Sequence, residues 1–216
     1  GPPVVLLNGQ RISGFGEIRD LPPEAILRVD ILPEEVALRY GFRGDQRVVN
    51  FVLRPRFRAV TAEAEYGLAT EGGRPSWEAD LNILRIGENG RWTIDAEASR
   101  DGALTEAERD LGGTEGVFRT LLPRTEALAL SGSLNRRLSD QVGATVTARL
   151  NAADSLALGG RNASLSALER DTESRSGSVA LTVNGNLAPW RWTLTANYER
   201  ARVETLTDTA AGGRDS

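Results

Sequence analysis

From residue 59 almost to the C-terminal end, apolar and polar residues alternate with a period of two. Val60, Ala62, Ala64, Tyr66 and Leu68 fall on one phase, and Thr61, Glu63 and Glu65 on the other. The alternation resumes with Trp77, Ala79, Leu81 and Ile83, then with Trp92, Ile94, Ala96 and Ala98. Leu128, Leu130 and Leu134 follow, then Val142, Ala144, Val146, Ala148 and Leu150. Val179, Leu181 and Val183, and finally Trp190, Trp192, Leu194, Ala196 and Tyr198, complete the series. This period is that of β-strands with two unlike faces, and it predicts about seven strands in meander order. Turn signals separate them at Glu71–Pro75, Gly87–Gly90, Ser139-Asp140 and Gly185–Pro189. Two longer polar stretches, Asp101 to about Glu126 and Asp154–Thr172, read as loops.

Such a pattern fits a soluble antiparallel sheet with one face packed on a core. Three features favour a membrane-spanning barrel instead. The alternating segments run roughly 9–13 residues, the length of a tilted bilayer-crossing strand, whereas globular strands average about 5–6. After the first connection, short and long links alternate, as in barrels with short turns at one rim and long loops at the other. Trp92, Trp190 and Trp192 follow short turns on the apolar phase, and Tyr198 lies toward the other end of its segment. That is where interfacial aromatic girdles sit. Arg136 also falls on the apolar phase, but beside a short turn, where a charge costs little.

Before residue 59 the pattern is mixed. Val4–Leu7 reads as a strand, and Asn8-Gly9 is a tight-turn signal leading to Gln10–Ile12. Asp20 is placed to cap a short helix over Pro22–Leu27. Arg28–Leu32 is strand-like, and Pro33 with Glu34 and Glu35 opens a short helix whose face carries Val36, Ala37 and Tyr40, stopped by Gly41. Val48–Leu53 is a buried strand ended by Pro55. So few residues bury little core and are marginal alone.

Composition narrows the chemistry. The chain of 216 residues has formal charge −4 and pI near 5.1, which argues against a nucleic-acid partner. It has no Cys, His or Met, and all 26 basic residues are Arg. Ordinary zinc sites, haem ligation, thiol catalysis and Ser–His–Asp chemistry are therefore excluded. Neither a signal-peptide pattern nor an apolar run long enough for a spanning helix is visible, and we expect a piece of a longer protein.

The front segment resembles the plug domain of TonB-dependent outer-membrane receptors of Gram-negative bacteria. Val4-Val5-Leu6-Leu7-Asn8-Gly9-Gln10-Arg11-Ile12 is similar to the family's strand-turn-strand, and Ile26–Pro33 to its "IERVEVL" strand. Ala37-Leu38-Arg39-Tyr40-Gly41 resembles "ALYG", and Val48–Leu53 resembles the "GGVVNIVLK" strand that ends the plug. Phe42–Arg47 departs from the Gly/Ser/Ala-rich turn usual there. The resemblance covers residues 4 to about 58. It implies a mainly β fold with a small α+β part: residues 1–58 from the back of a plug, residues 59–216 the first strands of an incomplete up-and-down barrel. It also implies energised uptake of a scarce ligand (siderophore, cofactor, glycan or peptide), outer-membrane lipid around the barrel, and TonB as a partner through a segment not in this chain. No catalysis, resident cofactor or metal site is expected. A soluble β-rich binding or structural module is the alternative.

The charge layout suggests where plug and barrel meet. Glu63, Glu65, Glu78, Asp80, Asp95 and Glu97 line the polar phase of the first three barrel segments, and Arg39, Arg43, Arg47, Arg54, Arg56 and Arg58 lie on the plug side. Either these charges pair, or the acids face water. Ligand contacts are expected at Phe42, Arg43, Asp45 and Arg47 on the plug and at Phe118 and Arg119 in the first long loop. Asp101, Glu106, Glu108, Asp110 and Glu115 in that loop are oxygen donors of the type that binds cations, or simply a solvated acidic loop. Glu34-Glu35 is no catalytic pair, because neighbours on a helix point apart.

Overall fold

The structure, a computed structural model, describes residues 4–12, 18, 21–33, 35, 38, 47–162, 165–187, 190–209 and 214–215. Phe42, Arg43, Asp45, Arg39, Glu34 and the helix face of Val36, Ala37 and Tyr40 lie outside the described residues; residues 35 and 38 are helical.

The front segment forms a small mixed sheet from β1 (Val4–Leu7), β2 (Gln10–Arg11), β3 (Ile26–Leu32) and β4 (Val48–Leu53), in the order β2-β1-β4-β3. β1 runs parallel to β4, and β3 antiparallel to it. Asn8 and Gly9 take positive φ, 51° and 78°, which is the two-residue turn that the Asn-Gly pair favours. The turn is pinned to β4 by side-chain amides. Asn8 Oδ1 accepts from the Leu53 N–H and Asn50 Oδ1 from the Gly9 N–H, both at 2.8 Å.

The helix expected over Pro22–Leu27 is a single 3-10 turn, Pro23–Ala25, with Pro22 at the N-cap position and no side-chain cap bond. β3 already begins at Ile26, paired with Leu53. Ladder bonds and burial of Ala25 therefore override a helix that prolines had left with few donors.

The rest of the chain builds one eight-stranded antiparallel sheet in the order β14-β13-β12-β11-β10-β7-β6-β5. Its strands are β5 (Phe57–Leu68), β6 (Pro75–Gly87), β7 (Gly90–Asp101), β10 (Arg124–Ser139), β11 (Val142–Arg161), β12 (Ala167–Leu187), β13 (Trp190–Asp208) and the short β14 (Arg214–Asp215). Between β7 and β10 a two-stranded ribbon, β8 (Leu104–Thr105) and β9 (Thr120–Leu122), encloses 3-10 turns at Ala107–Arg109 and Gly113–Phe118. The sheet is open: among the described residues β5 and β14 are its edges and no ladder closes it.

Residues 154–171, expected as a loop, continue the hairpin. Asp154 pairs with Glu173 and Leu158 with Glu169, and only residues 162–166 connect the strands. The apolar alternation stops near residue 150 because the side chains beyond it need no apolar surroundings. The backbone ladder does not stop there, since it depends on N–H and C=O pairing and not on side-chain polarity. The first long loop likewise is a folded element.

Among the described residues, the only buried hydrophobic side chains of the eight-stranded sheet are Leu84 and Ile86. They cluster with Leu7, Leu21, Ala25 and Leu53 of the front segment, flanked by Phe57 and Ala59. The core of the molecule is therefore the contact between the small sheet and one end of the large one.

Candidate functional site

The register sorts the large sheet into two faces. One carries Val60, Leu81, Ile94, Leu130, Val146, Leu181 and Leu194, and it is bare. Leu81 is 38% exposed, Ile94 41%, Val146 38% and Leu194 59%. An apolar surface spanning seven long strands far exceeds the patches that a monomer in water ordinarily shows.

Aromatic side chains bound this surface at two levels. Trp92 lies toward the turn at 88–89, and Trp190 and Trp192 at the start of β13, toward its connection from β12. Toward the other rim, Tyr66 and Trp77 sit directly opposite each other on β5 and β6, and Tyr198 stands on β13. In the sequence Tyr66 and Trp77 stand as ordinary alternation; the register sets them side by side. Following the pairing from Trp77 across the sheet leads to Glu204 on β13, six residues above Tyr198. From Trp92 it leads to Ala196, four residues above Trp192. Both levels slip by about one residue per strand, the stagger of tilted barrel strands. On β6 the levels are Trp77 and Arg85, the partner of Trp92. Eight residues at about 3.3 Å each give ~26 Å along the strand. That is ~20 Å of height at a tilt near 40°, comparable with the roughly 25 Å apolar band of membrane barrels.

The opposite face is polar. Glu63 pairs in register with Asp80, Asp80 with Glu97, and Glu65 with Glu78. Glu78, Asp80 and Glu97 bring carboxylate oxygens within 4.8 Å of one another, oxygen donors of the kind hard cations take. Asp95 accepts from Asn82 Nδ2 and, at 3.4 Å, from Ser131 Oγ. Farther along, hydroxyls and amides form a ladder: Thr93 with Ser133 at 2.6 Å, and Asn135 with Thr145 at 2.8 Å. Like charges directly opposite each other repel, so this face keeps its carboxylates only in contact with water or cations.

The described arginines of the front segment have these neighbours. Arg54 Nε donates to the Glu24 carbonyl at 2.8 Å, Arg56 pairs with Glu88 in a short turn, and Arg47 is exposed. Arg58 stands opposite Arg85 on the phase of Val60, the bare apolar face, at its short-turn end. The apolar contact between the small sheet and the large one runs through Leu7, Leu53, Phe57, Leu84 and Ile86.

The first long loop is docked on its neighbours. Arg161 Nε donates to Glu115 at 2.9 Å, and its guanidinium lies 4.9 Å from the Phe118 ring centroid. Arg119 bridges to Gly159, and Thr120 Oγ1 accepts from the Leu158 N–H at 3.1 Å. Arg109 reaches Gly72 O at 3.1 Å and Glu71 at 3.4 Å. Of the loop acids, Asp101 accepts from Thr125 and forms an ion pair with Arg74, Glu115 pairs with Arg161, and Glu108 accepts from the Thr105 N–H and hydroxyl at 2.7 and 2.9 Å. Those Thr105 bonds hold the Glu108 carboxyl below its ordinary range. Arg161 was not singled out from sequence, because it lies within a stretch read as loop. Gly112, in the left-handed region at φ 71°, sits close enough to the Gly116 backbone that a Cβ would approach it to 3.0 Å.

No protein-family model and no curated protein matches the chain. Among solved structures it is similar to BauA, the ferric preacinetobactin receptor from Acinetobacter baumannii, at 16% identity, TM-score 0.45, over 96% of this chain and 40% of that one. It is also similar to the siderophore receptor PiuA from Acinetobacter baumannii, at 12% identity and TM-score 0.39, over 98% of this chain and 40% of that one. A third is the ferric-catecholate import receptor Fiu from E. coli K12 in its open form, at 9% identity and TM-score 0.32, over 95% of this chain and 43% of that one. The chain thus spans about two fifths of the length of these receptors.

Proposed function

We propose that the chain is part of a TonB-dependent outer-membrane receptor, comprising the back of the plug (residues 1–58) and the first seven barrel strands (residues 59–216). The observation that carries this reading is the bare apolar face of the large sheet, banded by aromatics ~20 Å apart in height. In water that face is untenable; against lipid tails it is the expected wall of a barrel. The polar face then lines the lumen, and the small sheet sits inside at the periplasmic end, where the two-residue turns are. The long hairpins and the docked loop stand on the extracellular side.

On this reading the protein catalyses nothing. It binds a scarce ligand outside, TonB pulls on the plug through a segment beyond this chain, and the ligand passes along the wetted lumen. Phe118 and Arg119 are the loop's candidate contacts, and Arg161, stacked on Phe118, supports the same spot. Phe42, Arg43, Asp45 and Arg47 remain the plug's candidate contacts.

The test is expression of the complete protein in a Gram-negative host. It should partition to the outer membrane, show heat-modifiable mobility on gels, and support uptake of a labelled ligand that is lost when TonB is deleted. A monodisperse, folded product in detergent-free buffer would instead establish the soluble-module alternative.

A further inference from the structure

The seam between the small sheet and the large one is not packed throughout. Beside the cluster of Leu7, Leu53 and Ile86 it opens into a cavity of about 60 Å³. Leu7, Asn8 and Leu53 line it from the small sheet, and the turn at 88–89 with Arg91, Asn135 and Arg137 lines it from the large one. That is room for roughly four or five water-sized groups, enough for a small ion and for nothing larger.

The lining is rich in cationic donors. Arg91 is 8% exposed and has a partner of its own, so it supplies fixed positive charge. Arg137 is exposed, and its side chain has no partner among the described residues; its backbone N–H donates to Asn89 O at 2.8 Å and holds it against the turn. Arg91 stands in register with Asn135, two residues before Arg137. The two arginines are therefore diagonal neighbours with backbones ~7–8 Å apart, within reach of one ion for side chains of this length. From the small sheet, Asn8 spends its Oδ1 on the Leu53 N–H and has its Nδ2 donors left over. The one acid of the lining, Glu88, is paired with Arg56.

We infer that Arg91, Arg137 and Asn8 bind a small oxyanion of the phosphate class in this seam. Guanidinium forks match phosphate oxygens bidentately, and a tetrahedral anion has oxygens enough for two arginines and an amide. The charges of the wall set its route. On the polar phase of β5, β6, β7 and β10 the arginines are Arg91 and Arg137, both at the turn end, while Glu63, Glu78, Asp80, Asp95 and Glu97 stand farther along. Those carboxylates repel an anion, which therefore enters from the turn end. That this end faces the periplasm rests on the barrel reading above; the site itself does not. Because the ion touches Asn8 and the wall together, it binds only while the small sheet is docked, and it stabilises that docking by mass action.

The experiment titrates the complete receptor in detergent with inorganic phosphate by calorimetry, at constant ionic strength in chloride, and follows hydrogen exchange of the Asn8 and Gly9 amides. One saturable site is expected, with exchange at the turn slowed roughly tenfold at ten times Kd. Arg137→Gln, an exposed change that leaves the buried cluster alone, should weaken binding roughly tenfold or more and abolish the slowing, and Arg137→Lys should recover part of both. No saturable binding, an affinity unchanged in Arg137→Gln, or equal binding of acetate overturns the phosphate site. A chain that stays folded without detergent is titrated in the same way, so loss of the barrel reading leaves the site to stand or fall on its own titration.

Discussion

Leu81→Arg is the sharpest perturbation of the apolar face. Leu81 stands on β6 four residues from Trp77 and four from Arg85, the positions of the two aromatic levels on that strand. It is therefore at mid-height, flanked in register by Ala62 and Ala96, with no neighbour long enough to shield a charge. An arginine at the midplane of a barrel wall costs about 2–4 kcal/mol, a roughly 30- to 1000-fold change in the folding equilibrium. Thr61→Arg makes the matched control. Thr61 lies one residue from Ala62 on β5 but on the opposite face, opposite Asn82 and near Asp95. There a guanidinium meets carboxylates and water, so the change should stay within about 0.5 kcal/mol. Leu206→Arg, on the outward phase but far above Tyr198, supplies the depth dependence and should also be near neutral. The assay is reversible urea unfolding of the complete receptor in bilayers, followed by tryptophan fluorescence. Equal costs at Leu81 and Thr61, or an unchanged stability in Leu81→Arg, would refute the assignment of the faces.

Three further outcomes are expected. Leu84→Ala, at a side chain with no exposure beneath the small sheet, should cost about 2–5 kcal/mol of local stability. Hydrogen exchange of the β4 amides should quicken while β11–β13 stay protected. Arg161→Ala removes both the Glu115 pair and the Phe118 stacking, together about 1–2 kcal/mol. Limited proteolysis should then cut residues 102–123 faster, with no change in global unfolding. For Glu108 the Thr105 bonds depress the folded pKa, so their contribution is complete above the unfolded value near about 4.3 and is lost as pH falls through the lower folded value. Exchange of the Thr105 amide should accelerate only in that acid window, and Glu108→Gln should flatten the dependence.

The strands that cross the apolar band were legible because two unlike surroundings, apolar and wet, stamp a period of two on the sequence. The ends of the long strands were not. Beyond Leu150 and before Val179 both phases carry polar residues, yet the ladder from Asp154–Glu173 to Leu158–Glu169 continues. Side-chain pattern reports the surroundings of a strand and not its hydrogen bonds, so a hairpin in water on both sides looks like a loop. The Arg161–Phe118 contact was hidden for the same reason. It joins two stretches that both read as irregular, and no local signal couples them. In the front segment Asn8-Gly9 announced its turn. The roles of Asn8 and Asn50 as clamps depend on a parallel pairing of strands more than forty residues apart, which no local pattern carries.

The polar face is itself divided along its height, and that division bears on how a plug would move. Near the two-residue turns the wall offers Leu84, Ile86, Phe57 and Ala59, and the small sheet answers with Leu7, Leu53 and Ala25. This is a dry contact, next to the Arg54–Arg56 link that joins the two sheets covalently. A few residues higher, Glu63, Asp80 and Glu97 stand in one register row. Carboxylates so placed cannot be buried against another protein surface without partners, because desolvating them together costs far more than packing returns. Arg54 and Arg56 of the front segment are already engaged with Glu24 and Glu88. The wall is thus adhesive at its foot and solvated above. Under the pull that the proposed function invokes, β1 and β4 at the foot should stay seated while whatever occupies the shaft slides past water and not past a dry interface.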